Sequence, residues 1–286
     1  TVSPDGKFAY VADYLNDAVR GFSLTNTGGY FYGQSIYNSG YLGHGSDGMG
    51  VLAGTCALAG QIVVKDIRAP YFSALKKLVD FPLIAKSKLK FAHEALFGVG
   101  AGCFEGLLAG TTCKVTTINA AHDPFFGGIN PEPIAKNYGR SMAYLAKHPH
   151  DLCLVTDGDA DRVGGMDGRG RPLSTHQLIC LLLHHYAVNK GMKGRVVKAL
   201  TTTSMVDKFC AAHGLELVET GVGFKYIASE IIKGGVLLGF EESGGIGFPG
   251  HIPERDGILA GLMLLELLHY CFKQTLLLHQ IILLIF

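Results

Sequence analysis

The spacing of apolar residues divides the chain near Gln61. Residues 1–60 show no sustained period; they are rich in Gly, Tyr, Ser and Asn, with turn signals at Pro4-Asp5-Gly6, Thr27-Gly28-Gly29 and Asn38-Ser39-Gly40. An irregular, β-rich segment of short strands and loops is expected there. From residue 61 the pattern alternates between helix and strand periods. Tyr71 to Val79 sets Phe72, Leu75, Leu78 and Val79 on one helical face. Apolar runs predict strands at 88–93, 113–119 and 152–156, with helices at 102–109 and 137–148 between them. After Gly170 a second series predicts helix 174–189, with Ser174 or Thr175 as its cap, then strand 195–200 and helix 204–213. Strand 215–219, helix 224–232, strand 236–240 and a last helix over 256–270 complete it. Repeated β-α-β crossovers build mainly parallel sheets with helices on both faces. The fold class is therefore α/β: two consecutive three-layer α/β/α domains, over 61–167 and 168–272, followed by an apolar tail at 273–286.

Composition narrows the partners. The 286 residues are 48% hydrophobic and 17% charged, enough to bury cores of ordinary domain size. A net charge of +1 supplies no field for nucleic acid, and no polybasic run addresses an anionic membrane. The tail from Leu276 to Phe286 is about half the length that spans a bilayer, and Lys273, His269 and Glu266 precede it. Seven scattered cysteines, an odd number without a C-x-x-C pair, argue against a disulfide framework or a structural zinc site. They point to buried thiols in a reducing, cytoplasmic setting. No signal peptide opens the sequence, and the Thr start suggests that an N-terminal part is missing.

The densest chemistry follows the strand Leu152-Cys-Leu-Val-Thr156. Asp157, Asp159 and Asp161 alternate with Gly158 and Ala160 and lead into Arg162. Carboxylates this close repel and raise one another's pKa, so a bound cation is the expected way to keep them ionised. A solvated acidic turn is the bland alternative. A calcium EF-hand is excluded, because its sixth position is Arg162 where glycine is needed and its twelfth is Gly168 where glutamate is needed. A site with few protein ligands suits Mg2+, which keeps positions for water or a phosphate oxygen. Glu241-Glu242-Ser243-Gly244-Gly245 ends another strand and suits recognition of sugar hydroxyls, with a solvated acidic turn as the equal alternative for this piece alone. Lys198, inside an apolar strand, and the turn Gly221-Val-Gly223-Phe-Lys225 are candidate phosphate contacts or ordinary lysines. His184-His185, on an apolar helix, reads as packing. Gly98-Val-Gly-Ala-Gly102 lacks the third glycine and the later carboxylate of a dinucleotide fingerprint. Gly245-Ile-Gly-Phe-Pro-Gly250 fits that pattern formally, but Pro249 and Pro253 forbid the required helix.

In this order the motifs resemble the α-D-phosphohexomutases, the phosphoglucomutase and phosphomannomutase family, from about Gln61 to Leu268. The resemblance is carried by Tyr71 to Asp80, Phe97 to Gly102, Asp157 to Arg162, Gly223 to Ile227, Glu241 to Gly245 and Gly250-His-Ile-Pro-Glu-Arg-Asp-Gly257. It implies the second and third of four domains around a cleft. It implies Mg2+ on Asp157, Asp159 and Asp161 with Arg162 lining the site, sugar recognition by Glu241 and Ser243, proton handling by Lys198, and contacts from Gly223 to Lys225. The implied partners are a hexose phosphate of glucose or mannose and its bisphosphate. The implied reaction moves a phosphoryl group from an enzyme phosphoserine to the sugar and takes one back from its other end.

The chain departs from that pattern. The family's T-x-S-H-N-P serine segment and the phosphate loop of a fourth domain are not in these 286 residues. His93-Glu94-Ala95-Leu96 stands where relatives carry Asp-Pro. The expectation is a mutase fragment with impaired turnover; the alternative is a non-catalytic module binding Mg2+ and sugar phosphate. Ser3-Pro-Asp-Gly-Lys-Phe-Ala-Tyr-Val-Ala-Asp-Tyr14 is similar to one repeat of lactonase-like β-propellers, which implies a fused reading frame or, as a third reading, an adhesion element.

Overall fold

The structure is a computed structural model that describes residues 66–270 in full, together with the backbones of 8–13, 18–23, 62–64 and 271–273. The turn signals of the head and the apolar run 276–286 lie outside the described residues, as do residues 3–7 and 14 of the propeller-like stretch. The chain divides into two compact units, Thr1–Tyr71 and Phe72–Phe286. In the first, β1 (Phe8–Asp13), β2 (Ala18–Ser23) and β3 (Ile62–Val64) form an antiparallel sheet in that order.

Helix α1 (Arg68–Leu75) stops earlier than the apolar period predicts. Asp80 breaks the run: its side chain accepts a hydrogen bond from the Leu83 amide (3.1 Å) and caps a separate α2 (Phe81–Ala85), with Pro82 in its first turn.

The first large sheet has the order β5-β4-β6-β7-β8. β4 (Lys90–Glu94), β5 (Lys114–Ile118) and β6 (Leu152–Thr156) are parallel, joined through α3 (Cys103–Leu107) and α4 (Gly139–Lys147). β7 (Val163–Asp167) and β8 (Pro172–Leu173) then turn back antiparallel. Neither was expected from the apolar pattern, which predicts no strand between 156 and 174 and which Gly164 and Gly165 interrupt. Close packing explains the first glycine: a Cβ on Gly164 would lie 2.3 Å from the Tyr138 hydroxyl. Ala92, Leu96, Leu145, Cys153, Val155 and Met166 are fully buried against this sheet, and each large apolar side chain so buried stabilises the fold by about 1.5–3 kcal/mol.

The second sheet has the order β10-β9-β11-β12. β9 (Arg195–Ala199), β10 (Leu217–Thr220) and β11 (Val236–Phe240) are parallel, and β12 (Ile246–Gly247) pairs antiparallel to β11. The helices between are α5 (Thr175–His184), α6 (Met205–His213) and α7 (Phe224–Ile232). Helix α5 opens with a capping box between Ser174 and Gln177 and ends in a wider π turn, His185–Asn189. The last helix, α8 (Gly257–Lys273), crosses back to pack on α2, α5, β6 and β7. Its residues Ile258 to Leu268 are almost wholly buried, so this helix belongs to the core and not to the surface. Among the described residues no helix is long and apolar enough to cross a membrane.

Candidate functional site

The acidic loop hangs between β6 and β7, at the carboxyl end of a parallel strand, where α/β sheets place ligand sites. Its backbone is held from three sides. Val99 donates to the Gly158 carbonyl (3.0 Å), Gly257 to Ala160 (3.0 Å), and Gly158 to Pro131 (3.1 Å). Gly98 and Gly100 serve this packing: a Cβ on Gly98 would lie 2.7 Å from the carbonyls of both Asp157 and Gly158, and one on Gly100 would lie 2.6 Å from the Thr156 hydroxyl. That run is a buttress for the acidic loop, in keeping with its incomplete fingerprint.

The carboxylate oxygens of Asp157, Asp159 and Asp161 offer three ligand atoms within 4.8 Å of one another. Asp157 is fully buried, and Arg162 clasps it through its amide (3.0 Å to Oδ1) and Nε (2.5 Å to Oδ2). Burial, and then the charges of Asp157 and Asp159, push Asp161 up to about 7 even though Arg255 and Arg162 pull it down. Asp159 is exposed at its surface, yet the protein beneath it and then Asp157 raise its pKa as well. Negative charge exceeds the nearby positive charge, and the ligand atoms on offer are all hard oxygen. These residues fit a divalent cation of the Mg2+ type.

The sugar-loop candidate lies directly alongside. The Val163 amide donates to Gly244 O (3.0 Å), and Arg162 and Gly245 form an antiparallel bridge. Gly244 is required there: φ is +93°, and a Cβ would sit 2.4 Å from Val163 O. Glu241 is buried; burial is the main cause of a raised pKa, which Arg255 and the nearby Gly223 amide oppose. Ser243 is half-buried in the same turn. Glu242 accepts from the Thr201 hydroxyl, and its carbonyl from Thr175 (2.5 Å).

Thus the fold brings together Asp157, Asp159, Asp161, Arg162, Glu241 and Ser243, with Gly223 at the edge. Lys198 shares the register of Phe240 but is buried between Asp207 (2.5 Å) and Glu219 (3.3 Å), so its ion pairs run to α6 and β10. The Lys225 ammonium stands 5.0 Å over the Tyr226 ring. Of the two histidines on the α5 segment, His185 is buried against Glu266 and His184 lies edge-on to Phe209, consistent with packing roles.

One residue of this site has no role in the sequence reading. Arg255 bonds Asp161 Oδ2 (2.6 Å) and Glu241 Oε2 (3.3 Å) at once. Its only signal was its place in His251-Ile-Pro-Glu-Arg-Asp256, beside Asp256, whose Oδ1 accepts from the Leu259 amide (2.8 Å) at the start of α8.

Residues 69–170 match the phosphoglucomutase/phosphomannomutase alpha/beta/alpha domain II, and residues 174–281 match alpha/beta/alpha domain III of the same family. The chain belongs to the phosphoglucomutase/phosphomannomutase family. It is 29% identical over 208 residues to the phosphoglucomutase/phosphomannomutase of Thermococcus kodakarensis, covering 73% of this chain and 45% of that one. It is 30% identical over 200 residues to a phosphoglucosamine/phosphogalactosamine mutase of Sulfurisphaera tokodaii, covering 69% and 44%. A solved structure from Thermus thermophilus, described as a phosphomannomutase, superposes with a TM-score of 0.72 at 38% identity, over 77% of this chain and 50% of that one. The chain therefore spans about half the length of these relatives of the mutase family.

Proposed function

We propose that this chain carries the cation-binding and sugar-binding centre of a phosphohexomutase, acting on a hexose phosphate of the glucose or mannose type and its bisphosphate. The observation that carries the reading is the meeting of the acidic loop with the sugar loop, backbone to backbone at Val163 and Gly244. Asp157, Asp159 and Asp161 would hold Mg2+; when bound it would neutralise charge on a phosphoryl group in transit. Arg162 fixes Asp157 by two hydrogen bonds, so that carboxylate cannot swing out of the cluster. Glu241 accepts from sugar hydroxyls and the Ser243 hydroxyl donates to or accepts from them, with Arg255 holding Glu241 Oε2 (3.3 Å) and Gly223 as a further contact candidate. Lys225, two residues beyond Gly223, is the phosphate-contact candidate, and Lys198, buried on β9, is the proton-handling candidate.

A second reading, a module that binds without turning over, draws on one fact: no T-x-S-H-N-P segment occurs in these 286 residues. Phosphoryl transfer depends on positioning of donor and acceptor, so a donor serine supplied by other residues would be needed. The test is calorimetry of glucose 1-phosphate with and without Mg2+, beside an assay of its conversion to glucose 6-phosphate with a bisphosphate primer. Metal-dependent binding that Asp159→Ala abolishes is expected, with little or no conversion. Rapid conversion by the chain alone would refute the missing donor; no metal-dependent binding would sink the proposed centre.

A further inference from the structure

Arg255 places one guanidinium on carboxylates from two different loops. Its Nη2 lies 2.6 Å from Asp161 Oδ2, and its Nη1 lies 3.3 Å from Glu241 Oε2. The stem has little freedom: Phe224 lies under the guanidinium at 5.4 Å, and Gly245 leaves no room beside Cδ, where a Cβ would come to 2.3 Å. Arg162 approaches the other oxygen of Asp161, Oδ1, at 3.7 Å. The two arginines therefore hold Asp161 by opposite edges, and of the two guanidinium groups it is that of Arg255 that also pairs with a carboxylate of the sugar loop. A planar fork of donors can serve two acceptors in fixed directions, which an ammonium group cannot.

We propose that Arg255 is the positioning residue through which a divalent cation at the acidic loop strengthens hexose-phosphate binding at the sugar loop, an inference that rests on the function proposed above. With the trio free, the guanidinium charge is divided among Asp161, Glu241 and the neighbouring Glu254, whose Oε1 lies 3.4 Å from Nε. A cation that neutralises Asp161 releases that share of the charge toward Glu241 and toward the anionic phosphate of an arriving sugar. The dependence must be mutual: the sugar phosphate raises cation affinity by the same factor.

The experiment titrates the full chain with Mg2+ in the absence and presence of glucose 1-phosphate, and with glucose 1-phosphate in the absence and presence of Mg2+. For the wild type each ligand should tighten the other by about fivefold or more, the lower end of ordinary coupling between sites. Arg255→Met keeps the stem and removes the contacts to Asp161 and Glu241, along with the one to Glu254; both ligands should still bind, with a coupling factor falling toward one. Arg255→Lys keeps the charge but not the fork, and should fall between. Should Arg255→Met fail to fold, as judged by its unfolding curve without ligands, Arg255→Lys decides, since a full wild-type factor there overturns the proposal. A factor unchanged in Arg255→Met, or no coupling in the wild type, also overturns it. Absence of Mg2+ binding in the wild type, or binding unaltered by Asp159→Ala, would instead overturn the functional reading and this inference with it.

Discussion

The acidic loop and the buried end of α8 use the same chemistry to opposite effect. At the loop, Asp157, Asp159 and Asp161 share two arginines, and Asp161 is pushed up to about 7 by burial and its neighbours. On α8, the single carboxylate of Glu266 takes three donors: His185 Nε2 (3.1 Å), Lys190 Nζ (2.6 Å) and the Asp80 amide (2.8 Å). Burial alone would raise its pKa, yet these hydrogen bonds outweigh burial and hold it at about 2. A carboxylate matched by donors ties elements together; a surplus of carboxylates asks for a cation from outside. The contrast separates a structural acid from a candidate cation ligand without reference to exposure, for Glu266 and Asp157 are both buried.

The strongest test of the structural half is Glu266→Ala. It strands the buried His185 and the half-buried Lys190 and removes the link between α2 and α8. Removing one partner of such a pair costs about 3–5 kcal/mol, to be read from urea unfolding at pH 7. The sign of its pH dependence follows from the lowered pKa. The contribution of Glu266 is complete above its unfolded value, near 4.5, and is lost as pH falls toward about 2. The gap between wild type and variant should thus close below pH 4. His93, held down at about 3 by burial, makes both proteins lose stability between about 6.5 and 3, and cancels in the difference. A gap that stays constant to pH 2 would mean that Glu266 is not the ionised anchor described.

Next in size is the response of the other half to cations. If the trio is the cation site, Mg2+ at a hundred times its dissociation constant stabilises the wild type by about 2.7 kcal/mol, seen as a rise in the thermal midpoint. Glu266→Ala, though weakened, should keep that increment, because its carboxylate is not in the cluster. An increment lost with Glu266 would merge two regions that the structure keeps chemically distinct.

The junction of the two loops can be strained directly. Gly244→Ala puts a side chain on a residue with φ of +93° and against Val163 O. A loss of about 1–3 kcal/mol is expected, together with weakened sugar-phosphate binding, because the turn carrying Glu241 must shift. Unaltered binding with lowered stability would show that the loop contact is scaffold only.

Much of this was legible in the sequence, for reasons that can be located. The parallel strands β6 and β11 are apolar runs, and buried parallel strands tend to be so. The trio announced itself by spacing, since alternate residues beyond a strand end bring like charges together. β7 was not legible, because Gly164 is there to admit the Tyr138 hydroxyl and so erases the strand's apolar signature. Nor was the break after Leu75, where the Asp80 cap overrides a helical period that runs to Val79. Arg255 was invisible as a partner of Asp161, because no local pattern links residues that meet only when α8 folds back over β6 and β7. His93-Glu94 is intermediate. The replacement of the expected Asp-Pro is plain in the sequence, but only the fold gives Glu94 its donors in the Leu96 amide (2.8 Å), Asn119 and Ser141.

The smallest effect is also the most diagnostic of charge surplus. Asp159→Asn removes one negative charge from the trio while keeping the shape of the side chain. Asp159 is exposed, and its pKa is raised by the protein around it and by Asp157, so its ionised form is held at a cost in the metal-free protein. Without divalent cations the variant should be as stable as the wild type or more so, by no more than about 0.5 kcal/mol, since surface changes seldom exceed that. With Mg2+ the order should reverse, because only the wild type gains the binding increment. Glu266→Gln supplies the opposite pattern: it loses stability in both conditions, as donors that faced a carboxylate now meet an amide. Were Asp159→Asn to destabilise the metal-free chain by more than about 1 kcal/mol, beyond the ordinary range for a surface change, the carboxylate would be a matched structural group like Glu266, and the trio would no longer stand out as a place for a cation.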